Sequence, residues 1–510
     1  MTQNDALITQ MQQPDFYPHA VVEKIELIQT HASYVFLTGK YTYKVKKEVK
    51  FKFLDYSTLA QRKHFLGLEL ELNQQIAPDL YLEVIPISNC DRQYRLGNSE
   101  RVVEYTLKMH QFPQENLFSN LLAAGKLSGD RVRELGTIVA QFHRHAASND
   151  YINSFGTVAK IKAAFEENYQ ESYKYIGVVQ TPEQFEFTRN YTSSFFVQKA
   201  DLFPARIKAG KIRACHGDLH LNNICWWRHK IQLFDRIEFN KSFRFVDTMY
   251  DVAFIVMDLE AKQKPELAND FLNSYLEYSD DWTGLLVLPL YLSRQAYVRA
   301  KVNSFLLDDP QVPAVDQQQA RINARSYYRQ AYQYCQKQSG SLILMSGLSG
   351  SGKSTVAKFI ARNIGAIQIR SDAVRKHLAG VSLNASVTDI YTQEMTQKTY
   401  NRLLELGIRL ATAGYKVILD AKYDRLNQRQ SAINQAQANN IPLKIVHCTA
   451  PIAILRDRLN RRQHDISDAT ADLVATQQAN VEDFTAAEQA LITTVDTSQT
   501  DWQTSLNQIL

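Results

Sequence analysis

Apolar and polar residues alternate along much of the first hundred positions, as they do in strands. Within residues 20–52, an apolar side chain recurs at nearly every second position from Val35 to Val45, on either side of a turn-forming triplet at 38–40. This pattern predicts two strands joined by a turn. From Ser57 to Ile76 the spacing becomes helical, with Ser57 as the candidate N-cap. Strand patterns return at residues 81–87 and 101–106.

Helical spacing dominates the region that follows, over residues 115–200 and again over 285–306. Between these two regions lie a compact polar stretch at 215–224 and a strand pattern at 230–235. Residues 307–319 contain two prolines and little apolar content, which predicts a loop, and an amphipathic helix is predicted over 317–336. The Gln-Ser-Gly-Ser segment at 338–341 is the predicted hinge between two halves.

Short apolar strands and helical segments alternate after this hinge. The predicted strands are 342–345, 366–369, 416–420 and 443–448. Strands that alternate with helices are typical of a parallel sheet covered by helices. The sequence therefore predicts two domains, residues 1–335 and 336–510, of which the second has an α/β fold.

The composition argues against several classes of protein but does not indicate a particular function. Lys and Arg number 58 against 53 Asp and Glu, a net charge of +5 that does not indicate a general nucleic-acid binder, although a local basic patch stays open. The 5 cysteines lie far apart, with no CxxC pair and no Cys/His cluster at zinc spacing, which argues against a disulfide framework or structural zinc. No signal-peptide pattern and no apolar run of about 20 residues is present, so we expect a cytoplasmic protein without a membrane span.

A phosphate-binding motif stands between the first two strands of the second domain. It fits G-x-x-x-x-G-K-S/T at every fixed position. Glycines let backbone N–H groups surround a phosphate, Lys353 is expected to contact the β- and γ-phosphates of ATP and to act in catalysis, and Ser354 is expected to bind Mg²⁺. The predicted nucleotide-binding residues of this loop are Gly347, Leu348, Ser349, Gly350, Ser351, Gly352, Lys353, Ser354 and Thr355.

Two carboxylates follow strands of the same predicted sheet. Asp372 comes after the second strand and Asp420 ends the third, at the sheet edge where open α/β folds bind ligands. We expect Asp372 to orient or deprotonate an acceptor hydroxyl and Asp420 to hold Mg²⁺ through water. The alternative is that each is a helix N-cap. Arg375 is a candidate for binding an anionic substrate.

Four arginines cluster further along, at positions 456, 458, 461 and 462. Such a run is either a solvated helix face or part of a lid that places cations over a transferring phosphoryl group. In the second reading, Arg458 and Arg461 are catalytic.

The second domain resembles the small P-loop kinases of the gluconate kinase, zeta toxin and polynucleotide kinase group. The matching stretches are GLSGSGKST at 347–355, RSDAVR at 370–375 and ILDAKYDR at 418–425. The resemblance implies phosphoryl transfer from ATP to a hydroxyl group. It also implies that Asp372 is the acceptor-binding acid and that the arginine run belongs to the lid.

The polar stretch of the first domain has the spacing of a kinase catalytic loop. Asp218 and Asn223 fit H-x-D-x-x-x-x-N, and Asp235 follows at the end of the next strand. Asp218 is the candidate acid for the acceptor hydroxyl, while Asn223 and Asp235 are candidate Mg²⁺ ligands. His216 is interpreted as a structural loop residue.

Candidates for ATP binding lie upstream of this loop. Lys44 and Lys46 share one face of a strand, so either could contact the phosphates. Glu69 could pair with that lysine, with Glu71 as its competitor on the helix, and Glu104 is the candidate hinge that binds adenine through its backbone. For each residue, edge protection or solvation is the competing explanation.

The first domain resembles the aminoglycoside phosphotransferase family of kinase-like enzymes, through HGDLHLNNI at 216–224 and FDRIEF at 234–239. The resemblance implies a bilobal α+β protein-kinase-like fold. Two features depart from the protein-kinase pattern: residues 30–33 carry no glycine-rich loop, and Arg236 follows the metal aspartate where protein kinases have Phe.

The whole chain resembles bacterial proteins that fuse such a domain to a P-loop kinase domain. We therefore expect a bifunctional phosphotransferase that uses ATP and Mg²⁺ with hydroxyl-bearing small molecules, or a nucleic-acid end at the P-loop domain, as acceptors. Two other hypotheses stay open: the P-loop domain is a nucleotide-dependent switch, or the first domain is a binding module. The sequence carries no signal for the acceptor, for coupling between domains or for oligomeric state.

Overall fold

A computed structural model of the protein describes residues 3–90, 93–387, 389–462 and 465–506. They form two compact units. The first contains the described residues up to Ser128, together with His145–Ile161 and Phe203–Ile255, and the second contains Gly129–Arg144, Lys162–Leu202 and the described residues from Val256 onward. These units are defined by contacts in space, and the domain boundary at residues 335 and 336 stays a prediction.

Strands and helices are numbered in chain order. The strands are β1 (Glu26–Gln29), β2 (Ser33–Leu37), β3 (Tyr41–Lys46), β4 (Lys50–Phe51), β5 (Leu54–Asp55), β6 (Tyr81–Cys90), β7 (Gln93–Leu96), β8 (Val102–His110), β9 (Ile212–Ala214), β10 (Ile224–Trp227), β11 (Lys230–Leu233), β12 (Phe245–Asp247), β13 (Ser341–Ser346), β14 (Ile367–Arg370), β15 (Lys416–Asp420), β16 (Leu443–Thr449) and β17 (Ile492–Asp496). The α-helices are α1 (Gln3–Gln10), α2 (Leu59–Gln74), α3 (Phe118–Ala123), α4 (Gly129–His145), α5 (Asp150–Asn153), α6 (Val158–Ser172), α7 (Pro182–Gln198), α8 (Leu202–Lys208), α9 (Lys241–Arg244), α10 (Thr248–Ala261), α11 (Pro265–Ser279), α12 (Leu288–Phe305), α13 (Ala314–Tyr334), α14 (Lys353–Ile364), α15 (Ser371–Leu378), α16 (Gln393–Thr412), α17 (Leu426–Ala438), α18 (Ile452–Arg461), α19 (Leu473–Ala479) and α20 (Ala486–Gln489).

The first unit contains a six-stranded antiparallel sheet with the order β1-β2-β3-β8-β6-β7. The predicted hairpin at 35–45 is confirmed, with Val35 opposite Lys44. α2 lies where a helix was predicted, but its N-cap is Thr58, whose side chain accepts from the backbone N–H of Gln61. Ser57 instead donates its hydroxyl to Asp55, 2.6 Å away, so the predicted cap was wrong by one residue.

Two short antiparallel pairs follow the sheet in the same unit. β9 pairs with β12, and β10 pairs with β11. The polar stretch that resembles a catalytic loop connects β9 to β10, and Asp235 follows β11. An antiparallel sheet, a helix and then these short pairs are the protein-kinase-like arrangement that was predicted for the first domain.

The second unit contains helices of both predicted domains and a five-stranded sheet. α12 and α13 pack along each other through contacts such as the Tyr297 and Tyr328 rings, 5.1 Å apart. α13 begins at Ala314, directly after its N-cap Pro313, so the loop predicted over 307–319 ends earlier than expected. None of the helices in the described part of the chain combines the length and hydropathy of a transmembrane segment.

The five-stranded sheet is parallel throughout, with the order β14-β15-β13-β16-β17. The α/β prediction and its four strands are confirmed. The fifth strand, β17, was not predicted, because its sequence ITTVD is short and half polar. α14 packs against one face of the sheet through Val356, Ala357 and Ile360, all buried.

Candidate functional sites

The predicted phosphate loop connects β13 to α14. Its glycines Gly347, Gly350 and Gly352 have φ of +133°, +81° and +82°, the left-handed region that L side chains rarely adopt. A Cβ at Gly347 would lie 2.3 Å from the carbonyl oxygen of Cys448, and one at Gly350 would lie 2.7 Å from that of Leu455. Neighbouring backbone therefore closes around the loop, and glycine is required at these positions.

Two polar side chains are held inside this loop. Lys353 opens α14 and donates from Nζ to the carbonyl oxygen of Leu348, 2.7 Å away. Burial lowers the pKa of Lys353, and the Asp420 carboxylate opposes that change. The hydroxyl of Ser351 is buried without a hydrogen-bond partner in the described part of the chain. A bound phosphate would satisfy both groups.

The two predicted carboxylates occupy neighbouring strand ends. Asp420 ends β15, is buried and accepts from Nε2 of Gln368 at 2.8 Å. Asp372 lies in the first turn of α15, where Tyr391 donates to it over 3.4 Å. Neither is a helix N-cap, because Arg370 takes that position for α15 and no helix starts at Asp420.

A guanidinium group that sequence reasoning left out lies beside Asp420. Arg370 Nη2 is 2.6 Å from Asp465 Oδ1, Nη1 is 3.5 Å from Glu277 Oε1, and Nε is 3.9 Å from Asp420 Oδ2. Burial raises the pKa of Glu277, against the opposite effect of Arg370. Glu277 belongs to α11, outside the predicted P-loop domain, so no motif pointed to it.

The four arginines of the run at 456–462 lie in different surroundings: one contacts the phosphate loop and others are exposed to solvent. Arg458 donates to the carbonyl oxygen of Gly350 at 3.3 Å and to Thr497 Oγ1 at 2.8 Å, which places it on the phosphate loop. Arg461 is exposed and pairs with Asp457, and Arg456 is also exposed. Of the four arginines in the run, all of them described, Arg458 is the one that contacts the loop. Arg461 lies on a solvated helix face, as the alternative to the lid hypothesis predicted.

Two other arginines, Arg462 of the run and Arg375 of α15, contact backbone carbonyl oxygens or side chains of their own surroundings. Arg462 donates to the carbonyl oxygen of Ser467 at 2.9 Å. Arg375 is buried, donates to Thr396 at 3.2 Å and lies over the Tyr391 ring at 4.8 Å. Its predicted role in binding an anion stays a prediction.

In the first unit, the two predicted lysines have different surroundings. Lys44 Nζ lies 2.7 Å from Glu69 Oε1 and 2.6 Å from Asp235 Oδ1. Lys46 Nζ is fully enclosed, 2.8 Å from Glu69 Oε2 and 2.5 Å from Glu238 Oε1. Lys44 is therefore the lysine beside the predicted metal aspartate, whereas Lys46 is held in a buried ion pair.

Glu69 is the glutamate that faces these lysines. Burial alone would raise its pKa, but the two ammonium groups outweigh burial and lower the pKa to about 2. Glu71, the competing candidate, is exposed. Glu238 was missed by sequence reasoning, although it lies within the FDRIEF stretch that carries the family resemblance.

The hinge prediction supposed that Glu104 follows the end of a strand, and the structure contradicts this. It lies inside β8, opposite Ile87 of β6, and its side chain accepts from Nε of Arg62 at 2.7 Å. The strand continues to His110, so the connection that follows it begins at Gln111. The prediction that Glu104 is the adenine-binding hinge rested on this wrong strand end.

The catalytic-loop residues are tied together by short hydrogen bonds. Asn223 donates from Nδ2 to the carbonyl oxygen of Asp218 at 2.9 Å and to its Oδ2 at 3.3 Å. The backbone N–H groups of His216 and Gly217 both donate to the Asp251 carboxylate, at 2.7 and 2.9 Å. Asp251 lies in α10, so the loop is anchored to that helix.

The His216 ring also serves the loop. Its Nε2 is 2.9 Å from the carbonyl oxygen of Phe234, and its Nδ1 accepts from the backbone N–H of Asp218 at 3.3 Å. Burial lowers the pKa of His216, and the Asp251 carboxylate opposes that change. This placement fits the structural role predicted for it.

The surroundings of Asp235 and Arg236 explain why Arg, and not the Phe of protein kinases, follows the predicted metal aspartate. Asp235 has φ of +63° and donates its N–H to the Tyr81 hydroxyl at 2.9 Å. Arg236 is buried and donates to the carbonyl oxygens of Ala214 and Cys215. Arg236 therefore stabilises the backbone that leads into the catalytic loop.

Comparison with known proteins finds one family model and relatives that span most of the chain. A family model described as an AAA domain matches residues 342–484. Over most of its length the chain is similar to an uncharacterized protein of Mycobacterium tuberculosis (strain ATCC 25618 / H37Rv), 28% identical over 473 residues, which are 91% of this chain and 92% of that protein.

Solved structures of kinases are similar to parts of the chain. A gluconokinase from Sinorhizobium meliloti 1021 is 21% identical and matches 34% of this chain and 95% of its own, with a TM-score of 0.26. A choline/ethanolamine kinase family protein from Mesorhizobium loti is 9% identical and matches 65% of this chain and 99% of its own, with a TM-score of 0.35. The match to the AAA-domain model lies within the second predicted domain, residues 336–510.

Proposed function

We propose that this protein is an ATP- and Mg²⁺-dependent phosphotransferase with two sites, each of which transfers the γ-phosphate to a hydroxyl group of a small molecule. The observation that carries the proposal is that each site holds a lysine among groups that suit a phosphate chain. Lys44 lies 2.6 Å from Asp235, and Lys353 follows the glycine loop, in which the Ser351 hydroxyl is buried without a hydrogen-bond partner in the described part of the chain. Both arrangements fit a metal-bound phosphate chain.

The residues of the P-loop site fit ATP and Mg²⁺. Its glycines keep side chains out of a loop that neighbouring backbone already encloses, and Ser351 and Lys353 have polar groups that a phosphate would satisfy. Asp420 and the Ser354 hydroxyl supply the oxygen ligands that Mg²⁺ prefers. When bound, Mg²⁺ would offset the charge of the phosphate oxygens.

The other side chains of this site then have separate tasks. Asp372 orients the acceptor hydroxyl and accepts its proton. Arg458 of α18, which donates to the Gly350 carbonyl oxygen of the loop, stabilises negative charge that develops during transfer. Lys353 leaves the carbonyl oxygen of Leu348 to contact the phosphates.

The site in the first unit uses side chains in place of a backbone loop. Glu69 holds Lys44 where it can contact the α- and β-phosphates, and Asp235 and Asn223 are the oxygen donors for Mg²⁺. Because Asn223 uses its N–H₂ group on Asp218, its amide oxygen is the atom left for the metal. Asp218 orients the acceptor hydroxyl.

The proposal is tested by incubating the full chain with γ-labelled ATP, Mg²⁺ and a metabolite extract. Three proteins are compared: wild type, Lys353→Ala and Asp218→Asn. We expect labelled products that disappear in one variant only, which assigns each product to a site. If wild type labels no metabolite, two-site transfer is wrong. If every labelled product is lost in Asp218→Asn and none is lost in Lys353→Ala, transfer by the P-loop site is wrong and that half is left as a nucleotide-dependent switch.

A further inference from the structure

The edge of the parallel sheet is covered by a helix from the preceding domain. β14 is an edge strand, and α11 lies beside it. Asn273 accepts the backbone N–H of Gln368 at 2.7 Å, and Asn269 donates to the carbonyl oxygen of Ala366 at 2.9 Å. Side chains of α11 thus satisfy the polar groups that an edge strand would leave open.

The last turn of the same helix continues to the carboxyl edge of the sheet. Glu277 Oε1 lies 3.5 Å from Arg370 Nη1, where β14 ends. The carbonyl oxygen of Glu277 is 2.8 Å from His377 Nε2, and the His377 ring packs on Trp282. These contacts fix the end of α11 against α15, the helix that carries Asp372.

Arg370 has three carboxylates around it but is not equally close to them. Asp465 is at 2.6 Å and Glu277 at 3.5 Å, while Asp420 is at 3.9 Å, beyond hydrogen-bond distance. Asp420 accepts instead from the neutral amide of Gln368. Asp465 and Glu277 therefore lie closer to the guanidinium than Asp420 does.

We propose that Glu277 is a positioning residue of the P-loop site: it holds Arg370 away from Asp420 and so leaves that carboxylate for Mg²⁺. The inference rests on the proposed function, in which Asp420 is the Mg²⁺ ligand. Without the charge of Glu277, Arg370 is drawn to Asp420, since a guanidinium–carboxylate pair is a strong charge-assisted interaction. The metal must then displace that cation.

The inference is tested in the full chain, because α11 lies outside residues 336–510. All proteins carry Asp235→Asn, which removes the proposed metal ligand of the other site. Binding of a fluorescent, non-hydrolysable ATP analogue is measured against Mg²⁺ concentration. Glu277→Gln should raise the Mg²⁺ concentration for half-maximal binding about fivefold, and Glu277→Asp should cause a smaller rise.

Two comparisons separate positioning from a general structural effect. In an Arg370→Gln background, Glu277→Gln should have no further effect, because no guanidinium is left to move onto Asp420. Glu266→Gln, at the start of the same helix where it pairs loosely with Lys264 at 3.9 Å, should match the parent protein.

Each outcome bears on a different claim. Unchanged Mg²⁺ dependence in Glu277→Gln, or an equal shift in the Arg370→Gln background, would overturn the positioning role. If the parent protein binds the analogue no better with Mg²⁺ than without it, the proposed function of the P-loop site fails instead.

Discussion

The two candidate sites contain similar chemical groups, but one is built from contiguous residues and the other from residues that are far apart in sequence. In the P-loop site, the proposed phosphate ligands come from nine consecutive residues, and glycine backbone forms the cradle. In the kinase-like site, Lys44 and its partner Asp235 are 191 residues apart in sequence. One site is a property of a local segment, whereas the other exists only when distant elements pack correctly.

This difference decides what each site is sensitive to. The P-loop site depends on backbone conformation, since a Cβ at Gly347 or Gly350 would meet a neighbouring carbonyl oxygen. The kinase-like site depends on buried charges, since Glu69 is fully buried between two lysines. Buried ion pairs are costly to break, because removal of one partner leaves an uncompensated charge.

The largest expected effect is the loss of phosphate transfer at the kinase-like site when Asp218 is replaced. Asp218→Asn keeps the shape of the catalytic loop but removes the carboxylate that orients the acceptor. We expect transfer by the kinase-like site to fall about 10²–10⁴-fold with little change in ATP binding. The readout is labelled-phosphate transfer in a Lys353→Ala background, with exposed Asp15→Asn as the matched control; unchanged turnover would remove Asp218 from the mechanism.

The corresponding change at the other site is Lys353→Ala. It removes the only charged side chain among residues 347–355, so transfer at the P-loop site should fall about 10²–10³-fold. Products assigned to the kinase-like site should form at the normal rate. Lys398→Ala, at an exposed position of α16, is the control. Loss of both activities in Lys353→Ala would mean that the two sites are not independent.

The buried charges of the kinase-like site are expected to make the stability of the protein depend on pH. Because the pKa of Glu69 is lowered from 4.5 to about 2, its charged form stabilises the folded state. That stabilisation is complete above pH 4.5 and is lost as the pH falls toward 2.

Urea unfolding of wild type and Glu69→Gln between pH 3 and 7 measures this effect. The difference in free energy of unfolding between the two proteins should be constant above pH 5 and should shrink at lower pH. A difference that does not change across this range would show that Glu69 is not charged against Lys44 and Lys46 in the folded protein.

The smallest expected effects come from the arginine run. Arg458→Ala should lower transfer at the P-loop site about tenfold, because Arg458 contacts Gly350 and Thr497. Arg461→Ala should change it less than about twofold, as is usual for an exposed ion pair. Steady-state rates of the two variants decide this, and a larger loss in Arg461→Ala would indicate that α18 moves over the nucleotide.

The same contrast explains how far the sequence could predict the protein. The phosphate loop was readable because its residues are contiguous and lie between a strand and a helix. Glu69 could not be separated from Glu71 by pattern, since both lie on one helix and only packing decides which is buried. Glu238 and Glu277 were missed because their roles depend on contacts between segments that are far apart in sequence.

The extents of two strands also depend on pairing with a neighbouring strand, which the local sequence pattern does not show. β8 continues past Thr106 because β3 pairs with its last residues, up to His110. β17 forms from a half-polar segment because it adds to the open edge of β16. In both cases a neighbouring strand determines the element, as is usual for β-structure.

The central claim is that the chain binds two magnesium-bound triphosphates, one at each framework. Isothermal titration calorimetry of the intact protein with a non-hydrolysable ATP analogue and Mg²⁺ tests it directly. We predict two occupancies per chain, of which Lys353→Ala removes one. A single occupancy that survives in Lys353→Ala, or no binding at all, would contradict the account.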